Sequence, residues 1–159
     1  IETIKEIKNP KHDLYFAFTV QEEVGLRGAK TSAYRINPDI GIALDVTGSG
    51  DTPKSKPFAV GLDKGTAIKV KDNSILTHPK LKKLMVDTAR ENNIPYQMEV
   101  LEYGGTDSGA IHLTREGVIT GAISVPTRYV HSTTEMASKN DIINSIKLLT
   151  KLLEDNLEI

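Results

Sequence analysis

Two apolar, β-branched runs, residues 14–20 (LYFAFTV) and 40–46 (IGIALDV), enclose a segment of helical spacing, and the same alternation recurs to the end of the chain. Uninterrupted runs of this kind suit strands buried on both faces, and such strands need helices to cover them. Residues 28–35 are a short helical candidate, 66–70 a strand, and 78–93 a helix opened by His78-Pro79, with Pro79 suited to the first turn. Leu81, Leu84, Met85, Thr88 and Ala89 form its apolar stripe. Strands over 96–101 and 118–125 flank a predicted helix over 106–114. A last helix is predicted over 139–154, with Ile142, Ile146, Leu149 and Leu153 at helical spacing and Ile143, Leu148 and Leu152 widening the stripe. The pattern implies an α/β fold, three layers α/β/α with a central, mostly parallel (mixed) sheet. Residues 47–57, rich in Gly, Ser, Pro and charge, are a surface loop.

The first residues add an expectation of a different kind. Ile1, Ile4 and Ile7 share one helical face, no capping Ser, Thr, Asp or Asn precedes them, and Asn9-Pro10 ends the segment. They read as the tail of a helix, and the chain as a piece of a longer one with no internal domain boundary.

Composition narrows the function classes. Lys plus Arg number 20 against 21 Asp plus Glu, a net charge of −1, which leaves no basic footprint for nucleic acid. No run of eighteen apolar residues is present for a membrane helix. With no cysteine there is no disulfide, thiolate zinc site or thiol nucleophile, so any metal falls to His and carboxylates. The same absence fits a reducing cytoplasm, the expected location. The sequence also lacks a Gly-x-Ser-x-Gly elbow, a phosphate-cradling G-x-x-x-x-G-K-[ST] and a dinucleotide G-x-G-x-x-G.

Ligands of open α/β sheets bind at the carboxyl ends of strands, and four segments meet that condition. Glu22 and Glu23 follow the run 14–20; adjacent carboxylates diverge, which serves a site where one binds a metal and the other handles a proton, although a solvated turn reads the same way. Asp45 lies inside an apolar strand, costly unless paired or metal-bound, or else capping a nearby loop. Gly104, Gly105, Thr106 and Asp107 form a glycine-rich turn whose N–H groups suit an anion or polarised carbonyl, or whose Thr106 or Asp107 only caps a helix. His131 follows the strand 118–125 in a loop where an ordinary surface histidine is the plain alternative. His12, His78 and His112 sit in a charged turn, before a helix-opening proline and mid-helix. Two Glu, one Asp and one His at one sheet edge make a hard-donor constellation compatible with zinc, cobalt or manganese.

The strings VQEEVGLRGA, ALDVT, AIKV, GGTDSGAIHL and ISVPTRYVHSTTEM, in this order from about Phe16 onward, resemble the C-terminal part of the co-catalytic metallo-aminopeptidases of the TET and glutamyl-aminopeptidase family, some of whose members carry endoglucanase labels. The resemblance implies Glu22 as general base, Glu23 and His131 as ligands of one metal and Asp45 as ligand of the second. It implies that Gly104, Gly105, Thr106 and Asp107 line the pocket for the substrate's first side chain. It further implies two divalent ions, zinc or cobalt, peptide substrates, and homo-oligomers in which dimers build larger cages. The family's upstream His-x-Asp motif, its bridging Asp and its inserted β-rich dimerisation domain have no counterpart here, so the isolated chain is expected to be inactive and to hold less metal than the intact enzyme. Two other readings are a silent fragment retained for packing or partner binding, and a glycoside hydrolase, which needs two carboxylates set about 5–9.5 Å apart across a sugar.

Overall fold

A computed structural model describes residues 1–157 and 159. Its elements run α1 (Glu2–Glu6), α2 (Arg27–Ile36), β1 (Ile40–Gly48), β2 (Thr66–Lys71), α3 (Pro79–Glu91), β3 (Tyr96–Val100), α4 (Ser108–Ile111), β4 (Ile119–Arg128), β5 (Met136–Ala137) and α5 (Lys139–Glu154). The sheet order is β1-β4-β2-β3, with β5 pairing β4. β1 and β4 are parallel, as are β2 and β3, while β2 and β5 each run antiparallel to β4. The sheet is therefore mixed, joined antiparallel at its centre.

Strand alternation assigns the two faces. Gly121 on β4 abuts Leu81 and Met85 of α3, and a Cβ there would lie 3.1 Å from the Met85 methyl. Its β1 partner Ile42, with Ile68 and Ile123, packs into the main core with Leu81, Met85, Leu148 and Leu152. One residue away, Gly41 faces the other side, where Ile111 of α4 occupies the space a Cβ would need. Helices thus cover both faces: α3 and α5 over the large core, α4 with α2 over the second face. The three-layer α/β architecture expected from the alternation is present.

Several local readings change. Residues 14–20 are in no strand, and Tyr15, Phe16, Phe18 and Val20 are exposed; without a neighbouring strand the run has nothing to bury against. β1 is a terminal strand, not one buried on both faces, so Leu44 and Val46 are exposed too. In α1 the buried side chain is Thr3, and Ile7 alone of the three isoleucines packs on the core; Ile1 and Ile4 face outward. The helix predicted over 106–114 contracts to the single turn α4. α5 has the predicted limits and buries Leu148, Leu149, Leu152 and Leu153 as expected, but Asp141 and Ser145 join the inward face and Ile142 is exposed.

Candidate functional site

Asp45 sits near the carboxyl end of β1 on the α4 side of the sheet, in register with Ser124 of β4, which in turn faces Ala67 of β2. It is half-buried and accepts a hydrogen bond from its neighbour Val46 N at 2.7 Å. Burial pushes its pKa above the usual carboxylate range, with Asp107 and Glu23 adding to the shift; the Val46 N–H and the Lys69 ammonium oppose it.

Glu22 and Glu23 lie in the turn that leads into α2. Gly28 N closes this turn on Val20 O at 2.9 Å, and a Cβ on Gly28 would come within 2.5 Å of Val20 N, so a glycine is required where α2 meets the preceding chain. Glu22 is half-buried and Glu23 exposed. The Glu22 pKa is raised, first by burial and then by Asp45, Glu23 and Asp107, with His131 acting the other way. Asp45, Asp107 and His131, all distant in sequence, therefore join the adjacent Glu23 in acting on Glu22.

His131 follows β4, and its Nε2 lies 3.2 Å from Glu23 Oε1, both side chains being largely open to solvent. Its backbone N–H donates to Glu135 Oε1 at 2.7 Å. At the end of β4, Arg128 forms two 2.9 Å hydrogen bonds to Asp51, which ties the loop after β1 to the strand that delivers His131. That pairing holds the Asp51 carboxyl far below the usual range. Gln21, Leu26, Tyr129 and His131 all have left-handed backbone, φ between 54° and 64°, although none is glycine. Strain of this sort concentrates where side chains must be aimed.

The glycine turn reaches the same place by another route. β3 runs opposite to β1 and β4, so the turn after it leaves the far end of the sheet, not the shared edge that strand order alone suggests. The chain then returns over the α4 side. Asp107 Oδ2 accepts from Thr19 Oγ1 at 2.6 Å, three positions before Glu22, and Thr106 Oγ1 lies 2.5 Å from Ser108 Oγ. Gly104 and Gly105 are exposed and Thr106 is buried.

The donor chemistry suits a divalent cation, since a carboxylate oxygen and an imidazole nitrogen already face each other at Glu23 and His131. The fit is partial. Among the described residues no three His, Cys, Asp or Glu side chains gather closely enough to hold an ion. Residues overlooked in the sequence are Arg128, Asp51, Glu135 and Thr19, which aim the others; an Arg two residues past a buried strand's proline was the one available signal. No helix among the described residues is long and apolar enough to cross a membrane.

A sequence model of the family described as M42 glutamyl aminopeptidase matches residues 1–148. A protein of Acetivibrio thermocellus is 57% identical over 153 residues, covering 96% of this chain and 46% of its own length. The solved structure of an aminopeptidase from the archaeon Desulfurococcus kamchatkensis superposes with a TM-score of 0.94 at 41% identity, covering 98% of this chain and 45% of that one. A Pyrococcus horikoshii TET1 peptidase, described as assembling into a tetrahedron or a large octahedral shell, gives a TM-score of 0.75 at 35% identity over 87% of this chain and 40% of its own. The chain thus spans less than half the length of these relatives.

Proposed function

Because the chain belongs to the M42 glutamyl aminopeptidase family, we propose that it carries the C-terminal part of the catalytic domain of a metal-dependent aminopeptidase, which removes N-terminal residues from peptides in the cytoplasm. The observation that carries this reading is the meeting of Glu23 and His131 at 3.2 Å beside a half-buried Glu22 whose pKa is raised. In this reading Glu23 and His131 hold one cation and Asp45 contributes to the second. When bound, divalent ions such as zinc or cobalt supply Lewis-acid polarisation of a peptide carbonyl and a more acidic water.

The remaining steps belong to this chain's own residues. Glu22 accepts the proton of the attacking water and returns it to the departing amine; a carboxylate with a raised pKa is the better proton carrier near neutrality. Gly104 and Gly105 offer an exposed backbone against which a substrate's first side chain lies, with Thr106 and Asp107 holding the turn in place. The Glu23–His131 contact favours a cation site over hydrolysis of a sugar by two carboxylates alone. Additional ligands come from polypeptide outside these 159 residues, and the assembled enzyme is a homo-oligomer, as its TET1 relative's description suggests.

The test combines this chain with the remaining half of a family member and assays aminoacyl chromogenic substrates with and without a chelator. Turnover that disappears with chelator and returns with zinc or cobalt is expected. Chelator-insensitive turnover, or cleavage of β-glucans in its place, overturns the reading.

A further inference from the structure

Lys69 and Glu99 face each other across the β2–β3 pairing, both fully buried, with Nζ 2.6 Å from Oε1. Asp72, 2% exposed, adds a second carboxylate with Oδ2 3.4 Å from the same Nζ. Glu99 Oε2 and Asp72 Oδ2 are buried without a hydrogen-bond partner. A buried charge cluster of this kind is poor value for stability, because apolar side chains of similar volume usually do as well or better. The cluster also fastens a neighbouring segment.

What it holds is a turn. Asp72 Oδ1 accepts from Ser74 N at 2.7 Å, Ser74 Oγ at 2.8 Å and Ile75 N at 2.9 Å. Ser74 is the surface on which the glycine turn rests: a Cβ on Gly105 would fall 2.8 Å from Ser74 Oγ, and one on Gly109 2.5 Å. Asn73 N also donates to Gly104 O at 3.1 Å. From there Asp107 and Thr19 carry the connection to within three residues of Glu22. Lys69 lies on the same side of the sheet as Asp45, because Ala67, two residues before it, is in register with Ser124.

We propose that Lys69 is a positioning residue: acting through Asp72 and Ser74 it sets the depth of the turn 104–109 against the sheet, and through the Asp107–Thr19 bond it sets the placement of Glu22. The catalytic meaning of that placement rests on the function proposed above. The positioning itself does not, and it is tested without turnover.

The experiment is hydrogen–deuterium exchange by mass spectrometry on the 159-residue chain, alongside urea unfolding. K69M/E99Q removes the tether while leaving the cluster's net charge unchanged and Asp72 with its three donors. S74A removes one of those donors and the hydroxyl nearest Gly105 and Gly109 while keeping Cβ, and K69Q/E99Q, which removes the same two charges with polar side chains, takes the place of the double variant if that does not fold. Exchange in 103–109 and 19–23 is expected to quicken by about tenfold, while α3 and α5 keep their protection. A merely structural role would lower the urea midpoint and speed exchange in α3 and α5 as much as in the turn. Uniform acceleration, or an unchanged turn in the variants that fold, overturns the proposal whether or not the chain is part of an aminopeptidase.

Discussion

Glu22 and Glu23 are neighbours in sequence with different surroundings, one half-buried beside Asp45, the other exposed against His131. That difference separates their expected roles. In the assembled enzyme Glu22→Gln should lower turnover by at least about a hundredfold with metal content nearly intact, since it removes proton transfer and no ligand. Glu23→Ala and His131→Ala should lose metal as well; elemental analysis and kinetics on the same preparations decide, and equal metal loss in all three defeats the assignment. Asp45 gives a second expectation, for the metal-free chain. Its folded pKa lies above that of an unfolded Asp, so between the two values the folded chain binds more protons and its stability falls as pH rises. Asp45→Asn should therefore raise the thermal midpoint at neutral pH and flatten the decline that begins above the pKa of an unfolded Asp; an unchanged slope would show that the carboxylate is not strained. Of these side chains only Asp45 violates its local pattern, a carboxylate inside an apolar strand; Glu22, Glu23 and His131 read equally well as a solvated turn and a surface loop, and it is the order of the motifs that groups them. Lys69 was not read from the sequence, although a lysine in the middle of TAIKV violates its pattern too; only the register shows that Glu99 stands opposite it.

At the scale of elements, periodicity worked where the partner lies within the chain. The strands 40–46, 66–70, 96–101 and 118–125 and the helix 139–154 all exist, because the core of α3, α5 and the sheet is complete in these residues. The run 14–20 has the strongest strand pattern of all and forms no strand, since pairing is a property of two segments and no segment among the described residues pairs with it. The inward face of α5 was read correctly at Leu148, Leu149, Leu152 and Leu153 but not at its first turn, for a different reason: Asp141 looks like a solvent residue but is fully buried, accepting Asp63 N and Gly65 N, each at 2.7 Å. Those two bonds fasten the loop before β2 to the start of α5. Asp141→Ala should cost about 3 kcal/mol, the loss of two charge-assisted hydrogen bonds and a stranded amide. Urea unfolding would measure it, and a cost below about 1 kcal/mol, ordinary for surface substitutions, would mean that the loop re-satisfies its amides with water.

The whole molecule combines a filled core under α3 and α5 with several large apolar side chains left in solvent. Tyr15, Phe18, Val20, Val24 and Leu44 are each more than half exposed, and β1 stands at one end of the sheet order; exposed apolar side chains and an end strand each invite association between copies. Light scattering on the isolated chain should show concentration-dependent oligomers, and a strict monomer would mean that these side chains are better covered in solution. A catalytic zinc site wants three protein ligands and a free position, whereas Glu23 and His131 offer two and Asp45 stands apart from them. Two cations brought close together also repel, and the carboxylates near them must offset that repulsion. Burial and neighbouring carboxylates raise the pKa values of Glu22 and Asp45, so their ionised forms are disfavoured in the metal-free chain and a bound cation would have to offset that cost. Calorimetric titration of the 159-residue chain with zinc should therefore show less than two tight sites, with proton release on whatever binding occurs, and aminoacyl substrates should remain uncut. Two tight sites and robust turnover from this chain alone would mean that the missing ligands are among its own residues, and that the loops bearing Glu22 and His131 close further when metal arrives.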